Sequence, residues 1–215
     1  MYYRRLWVVD REKEEIHRMN STDICNMALA YIGQGRIASL EEKGEEAVQC
    51  KLFYNHLRRK LLSEYRWNFA ERYVKLALLD KKIPRWDYVY AYPAQCLVIR
   101  ELYDGESPYA GESRKENHLV ININDGAKGI CTNIPHAYAS YTADEENGEL
   151  FTDYFIDALS HALAANIAVP LSGSPSAANQ QYQLMQQALI NAKHHSVIED
   201  HKETIFPHKY IDGRR

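Results

Sequence analysis

A chain of 215 residues, 46% hydrophobic and 26% charged, has enough apolar material for a real core and sits between one large domain and two small ones. Its 26 basic and 29 acidic side chains leave a net charge of −3, so no global field recruits nucleic acid, and no long basic stripe marks a duplex-binding face. Cys25, Cys50, Cys96 and Cys131 lie far apart without a C-x-x-C pair, which argues against a zinc site or a disulfide framework and points to a reducing compartment.

Residues 1–20 form a charged leader tipped with aromatic residues. Its opening, Met1 to Val9, holds only Leu6-Trp7-Val8-Val9 as an apolar run, too short for a signal-peptide core. No uninterrupted apolar run approaches the ~20 residues that span a bilayer. These features predict a protein that stays in solution and is not secreted by that route. The leader itself is either an extra arm or an over-extended start, with Arg11 to Arg18 as a charged connecting helix in the first case.

Thr22 or Asp23 is placed to cap a first helix, with Ile24, Met27, Ala28 and Tyr31 on one face and Gly33-Gln34-Gly35 ending it. Ser39 and Glu42 have the spacing of a capping box. A second helix over roughly Glu45 to Arg66 carries a stripe of Ala47, Cys50, Tyr54, Leu57, Leu61 and Tyr65 at steps of three and four. The run Arg58-Arg59-Lys60 reads as a solvated helix face.

The period then changes to two. Val74, Leu76 and Leu78 alternate, as do Trp86, Tyr88, Tyr90 and Tyr92 after the turn Lys81-Lys82-Ile83-Pro84, then Val98, Arg100 and Leu102. Asp104 to Asn117 reads as a polar loop. Leu119, Ile121 and Ile123 form the next strand, Asn124-Asp125-Gly126 a turn, Ile130 the start of a short strand, and Ala137 through Thr142 the last one. This predicts a mostly antiparallel unit of about six strands.

Beyond the acidic loop Asp144-Glu145-Glu146-Asn147-Gly148, helical spacing returns. Phe151, Tyr154, Phe155, Ala158, Leu159, Ala162 and Leu163 mark a third helix stopped at Pro170. Ser174-Pro175 supplies an N-cap and an N1 proline for a fourth, striped by Tyr182, Met185, Leu189 and Ala192. Strands between two helix pairs predict an α+β fold in which the N- and C-terminal pairs form a four-helix bundle with an inserted β domain. The expected divisions are an arm over 1–20, helices over 21–68 and 147–197, the β domain over 69–146, and a tail over 198–215.

Signs of chemistry are few. The phosphate-loop, dinucleotide, zinc-protease and serine-hydrolase motifs are all missing from the sequence. Asp153, Asp157 and His161 recur at steps of four, yet residues spread over two helical turns cannot all reach one small ion, so they read as a polar stripe. His194, His195, His201 and His208 match no ligand spacing. Glu145, Glu146 and Glu149 are available for sugar hydrolysis, which depends on a separation in space that sequence does not give. These readings predict no catalytic, metal-binding or cofactor-binding residues. Sixteen tyrosines and three tryptophans suit interfaces. The tyrosine row 86–92 fits an interface or a core equally well, whereas Trp67 and Phe69 read as core.

Four stretches together resemble one family. They are Ala28-Leu29-Ala30-Tyr31-Ile32-Gly33, Ser39-Leu40-Glu41-Glu42 as a helix start, Leu61 to Ala70 with its Trp67-Asn68-Phe69 core, and Trp86 to Cys96 with aromatic residues at alternate positions before Pro93. In order and spacing, over about Thr22 to Ala192, the chain resembles the tail tubular protein A family, the head-to-tail adaptors of short-tailed bacteriophages. The resemblance implies a structural virion protein of the tail, assembled in the host cytoplasm as a ring, dodecameric in the family. Such a ring sits below the portal and above the tail nozzle and passes DNA without sequence readout. Tyr2, Tyr3, Leu6 and Trp7 are then candidates for contact with an adjacent subunit. After Pro207 breaks any continuing helix, the locally basic tail keeps Ile205, Phe206, Tyr210 and Ile211 as apolar anchors beside Arg214 and Arg215. Because family adaptors can dock on the portal through C-terminal segments, these six are portal-docking candidates. A tail-associated glycan hydrolase and a soluble binding module unrelated to virions remain as alternatives.

Overall fold

The computed structural model describes residues 19–105, 117–123 and 126–199. Its elements are α1 (Ser21–Tyr31), α2 (Glu45–Glu64), β1 (Glu71–Lys75), β2 (Tyr88–Ala91), β3 (Cys96–Asp104), β4 (Leu119–Ile123), β5 (Ala127–Thr132), β6 (Ala137–Ala143), α3 (Asp153–Ser172) and α4 (Pro175–Glu199). The fold is mixed α+β, with four helices and two small antiparallel sheets.

The helix boundaries follow from local chemistry. The first helix is capped by Asn20, not by Thr22 or Asp23. The Asn20 side chain accepts from the backbone N–H groups of Thr22 and Asp23, and Asp23 accepts in return from the Asn20 N–H at 3.1 Å. Ser39 and Glu42 make only half of the predicted box: Glu42 accepts from the Ser39 N–H at 3.2 Å, but the Ser39 hydroxyl accepts from the Glu41 N–H and the Glu42 N–H donates to the Ser39 backbone carbonyl. They close a turn and start no helix; α2 begins at Glu45 behind Gly44. The connection is fixed by the buried Asn26, whose amide donates to the Ile37 carbonyl and accepts from the Ile37 N–H, both at 2.9 Å.

Pro170 does not stop α3. It removes one donor in the last turn, where the ladder is ending, and the helix runs on to Ser172. Gly173 terminates it in the left-handed region at φ 64°, with its N–H donating to the Val169 carbonyl at 2.9 Å. Ser174 then caps α4 as expected, its Oγ accepting from the Ala177 N–H.

One hydrophobic core unites all four helices. Ile24, Cys25 and Leu29 of α1, Cys50, Leu57 and Leu61 of α2, Phe155, Leu159 and Leu163 of α3, and Leu189 and Ala192 of α4 all contribute to it. Helix α3 packs against each of the other three. It is long and apolar enough to cross a membrane by length and composition alone, but more than half of that stretch is buried inside the protein.

The strands form two three-stranded sheets, ordered β1-β6-β3 and β2-β5-β4. A second, smaller core of Leu76, Tyr90, Leu102, Ile130, Ile134 and Ala139 belongs to them. Strand β5 starts at Ala127 and not at Ile130, because it pairs with β4 directly across the turn, Ala127 opposite Ile123. The predicted alternation through Val98, Arg100 and Leu102 fails physically. The β3–β6 register shifts twice, between Cys96 and Val98 and between Ile99 and Glu101, and each irregularity changes which face the following side chains meet. Leu97 consequently packs on the helical core, while Ile99 and Leu102 pack on the smaller one.

Trp67 stands where helix gives way to sheet. It is buried, its Nε1 donates to the Leu61 carbonyl at 2.9 Å, and its ring packs with Tyr65, Phe69 and Phe155. Phe69 also meets Phe151, so one aromatic cluster seals the exit from α2 to the start of α3. Replacing a buried tryptophan by alanine costs about 3–5 kcal/mol. Trp67→Ala should therefore unfold at markedly lower denaturant or fail to fold. A thermal or urea melt within a few degrees or tenths of a molar of the parent would contradict this placement.

Candidate functional site

Arg58 is the first surprise. It falls in the run Arg58-Arg59-Lys60 that reads as a solvated face, but only 1% of it is exposed. The steps of three and four from Tyr54 to Leu61 carry position 58 onto the inner side of α2, facing the chain's return from the sheet. Its guanidinium pairs with Asp144 at 2.9 Å, reaches Glu146 at 3.5 Å and donates to the Glu145 carbonyl. Arg59 adds a second contact to Asp144 at 3.2 Å. Beside it lies the buried Tyr54, whose pKa burial pushes up to about 12.

Other arginines extend this joint. Arg100 of β3 donates to the Leu62, Ser63 and Tyr65 carbonyls, satisfying the C-terminal end of α2, and to Thr142 Oγ1 at 2.8 Å. Burial lowers its pKa. Arg66 holds Glu71 and Glu101, and the hydrogen bond to Glu71 raises its pKa. Arg72 pairs with Glu145 at 2.7 Å. The carboxylates available for sugar hydrolysis are thus engaged in part as structural counterions: Glu145 by Arg72 and Glu146 by Arg58. Glu149 follows the 147 cap, its N–H donating to Asn147 Oδ1.

The polar stripe on α3 is divided. His161 stacks on Tyr31 at 4.3 Å, and its Nδ1 lies 2.7 Å from Oε1 of Gln181, so it joins α1, α3 and α4. Asp153 and Asp157 are exposed. Among the described residues no group of three His, Cys, Asp or Glu side chains is placed to hold a metal ion. His195 packs on Tyr154, and His201 and His208 lie outside the described residues. Cys25 and Cys50, distant in sequence, are both buried in the helical core, and the neighbouring Cys50 together with burial pushes the Cys25 thiol up. The tyrosine row belongs to the sheets. Tyr90 is buried and donates to the Ile134 carbonyl at 2.8 Å, while Tyr88 and Tyr92 pack against the smaller core.

The leader candidates Tyr2, Tyr3, Leu6 and Trp7 and the tail candidates Ile205, Phe206, Tyr210, Ile211, Arg214 and Arg215 lie outside the described residues. Helix α4 continues through Ser196, which is buried and accepts from Asn68 Nδ2 at 3.0 Å, so the helix includes the first residues assigned to the tail. Its stripe is also displaced. Gln181 is buried in place of Tyr182, which is exposed and borders a groove of about 200 Å³ together with Leu57, Leu61, Ala162, Met185 and Leu189.

The outer side of α4 is a feature that periodicity alone does not reveal. From Ala158 to Ala192 the sequence contains no Asp, Glu, Lys or Arg, in a chain that is one-quarter charged. On α3 this reflects burial. On α4 it does not: Asn179, Gln180, Gln183, Gln187, Ile190 and Asn191 are all exposed. The exposed side of a surface helix normally carries charge. Depletion of charge with apolar residues present is the compositional mark of an interface centre. Counting charges along the sequence would have found it.

Comparison with known proteins yields no family: no family model matches the chain, and no curated protein matches it.

Removing one member of a buried ion pair leaves the other charge stranded, at a cost of about 3–5 kcal/mol. Asp144→Ala should therefore destabilise the protein strongly in urea denaturation, and Arg58→Met less, because methionine strands no buried cation. Equal, small effects would show that the joint contributes little.

Proposed function

We propose that this chain is a structural adaptor of a short-tailed phage tail: a ring, dodecameric as in the family it resembles, that joins the portal to the tail nozzle and lets DNA pass. The observation that carries the reading is the arrangement around Trp67. Two helices lead through an aromatic seal into a six-stranded unit, and the chain returns beside its point of exit to two further helices that share the first pair's core. This suits the architecture the resemblance implies, a four-helix bundle of N- and C-terminal pairs with an inserted β domain over 69–146. The exposed, uncharged side of α4 supports assembly as the working activity. The net charge of −3 suits a channel that should not hold DNA. On this reading the protein acts without catalytic residues, metal or cofactor, in the virion tail after assembly in the host cytoplasm.

Residues 1–18 serve as an arm onto the adjacent subunit, and the residues after Glu199 dock on the portal. Native mass spectrometry of the full chain, alone and with the portal protein, tests the reading. A closed ring that binds the portal is expected, and a monomer that ignores the portal would overturn it. Truncation after Glu199 should leave the melting transition unchanged and abolish portal binding. Undiminished binding would remove the tail from the docking surface. Deletion of 1–18 should leave the fold intact and weaken ring contacts. Unfolding would make the leader part of the core.

A further inference from the structure

We infer that Asn147-Gly148 is a deamidation site held shut by the Arg58 joint, where opening of the chain's return from the sheet is made permanent by a covalent step. It is the only Asn-Gly pair in the sequence. An asparagine loses its side-chain amide when the backbone nitrogen of the next residue attacks its Cγ, and a glycine leaves that nitrogen unshielded. The N–Cγ bond forms, the Cγ–Nδ2 bond breaks, and ammonia leaves with the proton that the Gly148 nitrogen gives up. Water then opens the succinimide. Attack at Cγ gives aspartate, and attack at the main-chain carbonyl carbon gives isoaspartate, whose backbone runs through Cβ and Cγ.

Asn147 is exposed, so its amide is open to water, and what prevents the reaction is the backbone. Asn147 sits at φ −76° and ψ 103°. On an L-residue the following nitrogen comes over Cβ, as the five-membered ring requires, only at a ψ of roughly −120°. The Asn147 ψ must therefore swing by roughly 140° before the Gly148 nitrogen reaches Cγ. The contacts of the turn oppose that swing. Asn147 Oδ1 accepts from the Glu149 N–H and the Asn147 carbonyl from the Leu150 N–H, both at 3.1 Å. The Gly148 carbonyl accepts from the Phe151 N–H at 3.2 Å. Gly148 itself is buried against the chain's entry to α1, so closely that a Cβ there would lie 2.8 Å from the Met19 carbonyl oxygen.

The arginines of the joint hold the residues immediately before this turn. Arg58 pairs with Asp144 at 2.9 Å and donates to the Glu145 carbonyl, while Arg72 pairs with Glu145 at 2.7 Å. Glu145 in turn accepts from the Asn147 N–H at 3.1 Å, so the Arg72 pair reaches the reacting residue through a single side chain. Release of these pairs frees the segment by local opening, without unfolding the helical core. Conversion then runs one way. Isoaspartate adds a carbon to the main chain beside Gly148, where the packing on Met19 leaves no room. Either product also adds a carboxylate to a segment that already carries Asp144, Glu145, Glu146 and Glu149, and like charges oppose reclosure.

The test compares the full chain with a synthetic peptide spanning residues 143–151, both held in mildly alkaline buffer and mapped by mass spectrometry. The parent should convert at position 147 at least about a hundredfold more slowly than the peptide, since only its opened fraction reacts. A parent that converts at the peptide's rate overturns the inference. Arg58→Met and Arg72→Met release the return segment, and each should speed conversion by about tenfold or more. Rates that match the parent's in both variants overturn the link to the joint. Should Arg58→Met fail to fold, Arg72→Met decides alone, because the Arg72 side chain is 41% exposed and its loss strands no fully buried charge. Urea below the unfolding transition separates local opening from global unfolding, because the slope follows the surface exposed. A nearly flat rate is expected, and a rate that climbs with the full slope of global unfolding counts against the inference. Converted protein, separated by ion exchange through its added negative charge, should melt below the parent. An unchanged melting temperature would show that the joint recloses and would remove the one-way step.

Discussion

The six strands leave the helices and rejoin them at one place, and the contacts there hold both ends. The chain leaves the helices at Trp67 and comes back at Asp144, and both ends are secured by the second half of α2. Arg58 grips the return, while the Leu61 carbonyl accepts from Trp67 on the exit. The shared core brings the third and fourth helices onto the first two, and these contacts hold the two ends of the strand segment beside each other. A buried arginine is a costly way to make such a connection. Its desolvation often cancels its Coulombic gain, so its return is geometry and not net stability. A guanidinium offers five donors in a rigid fork. Here that fork reads a backbone carbonyl and two carboxylates of one short segment, which a hydrophobic contact could not orient.

The other arginines generalise this solution. Arg100 comes from the sheet to the helix end and satisfies carbonyls that α2 leaves open, because Tyr65 breaks away into extended backbone without a capping glycine. Arg66 and Arg72 then tie the first strand to its surroundings. Helical core and sheet core are separate apolar clusters. Leu97 of β3 packs on the helical one, and the contacts of Arg100 and Arg58 run beside it between helix and sheet elements.

Much of this was legible in the sequence. The α2 stripe of Ala47, Cys50, Tyr54, Leu57 and Leu61 is buried as the 3.6-residue period requires, and the Ser174-Pro175 cap is where it was expected. Trp67 is core, as its position predicts, and Phe69 packs partly buried against that core. The failures have physical causes. Asn20 outcompeted Thr22 and Asp23 as a cap because its carbonyl oxygen reaches two N–H groups at once. Arg58 was misread because a basic run says nothing about which of its members points inward; here the apolar phase of α2 decided it. The register shifts in β3 leave no compositional mark, so the alternation there could not be followed. Cys25 and Cys50 meet because α1 and α2 pack together, a tertiary fact invisible to spacing.

The uncharged stretch from Ala158 to Ala192 shows the limit of reading by period alone. Along α3 the missing charges follow from packing, since burying an unpaired ion costs several kcal/mol. Along α4 the same composition covers exposed positions where charge would be free of that cost and would favour solubility. A surface that forgoes charge without being buried in its own chain gains only if something else removes it from water. An amide face loses less than an ionised one when it is desolvated, and it can exchange hydrogen bonds with water for hydrogen bonds with a neighbour. The composition of α3 is thus explained within one copy, whereas α4 keeps exposed positions filled by neutral amides where its own fold imposes no such cost.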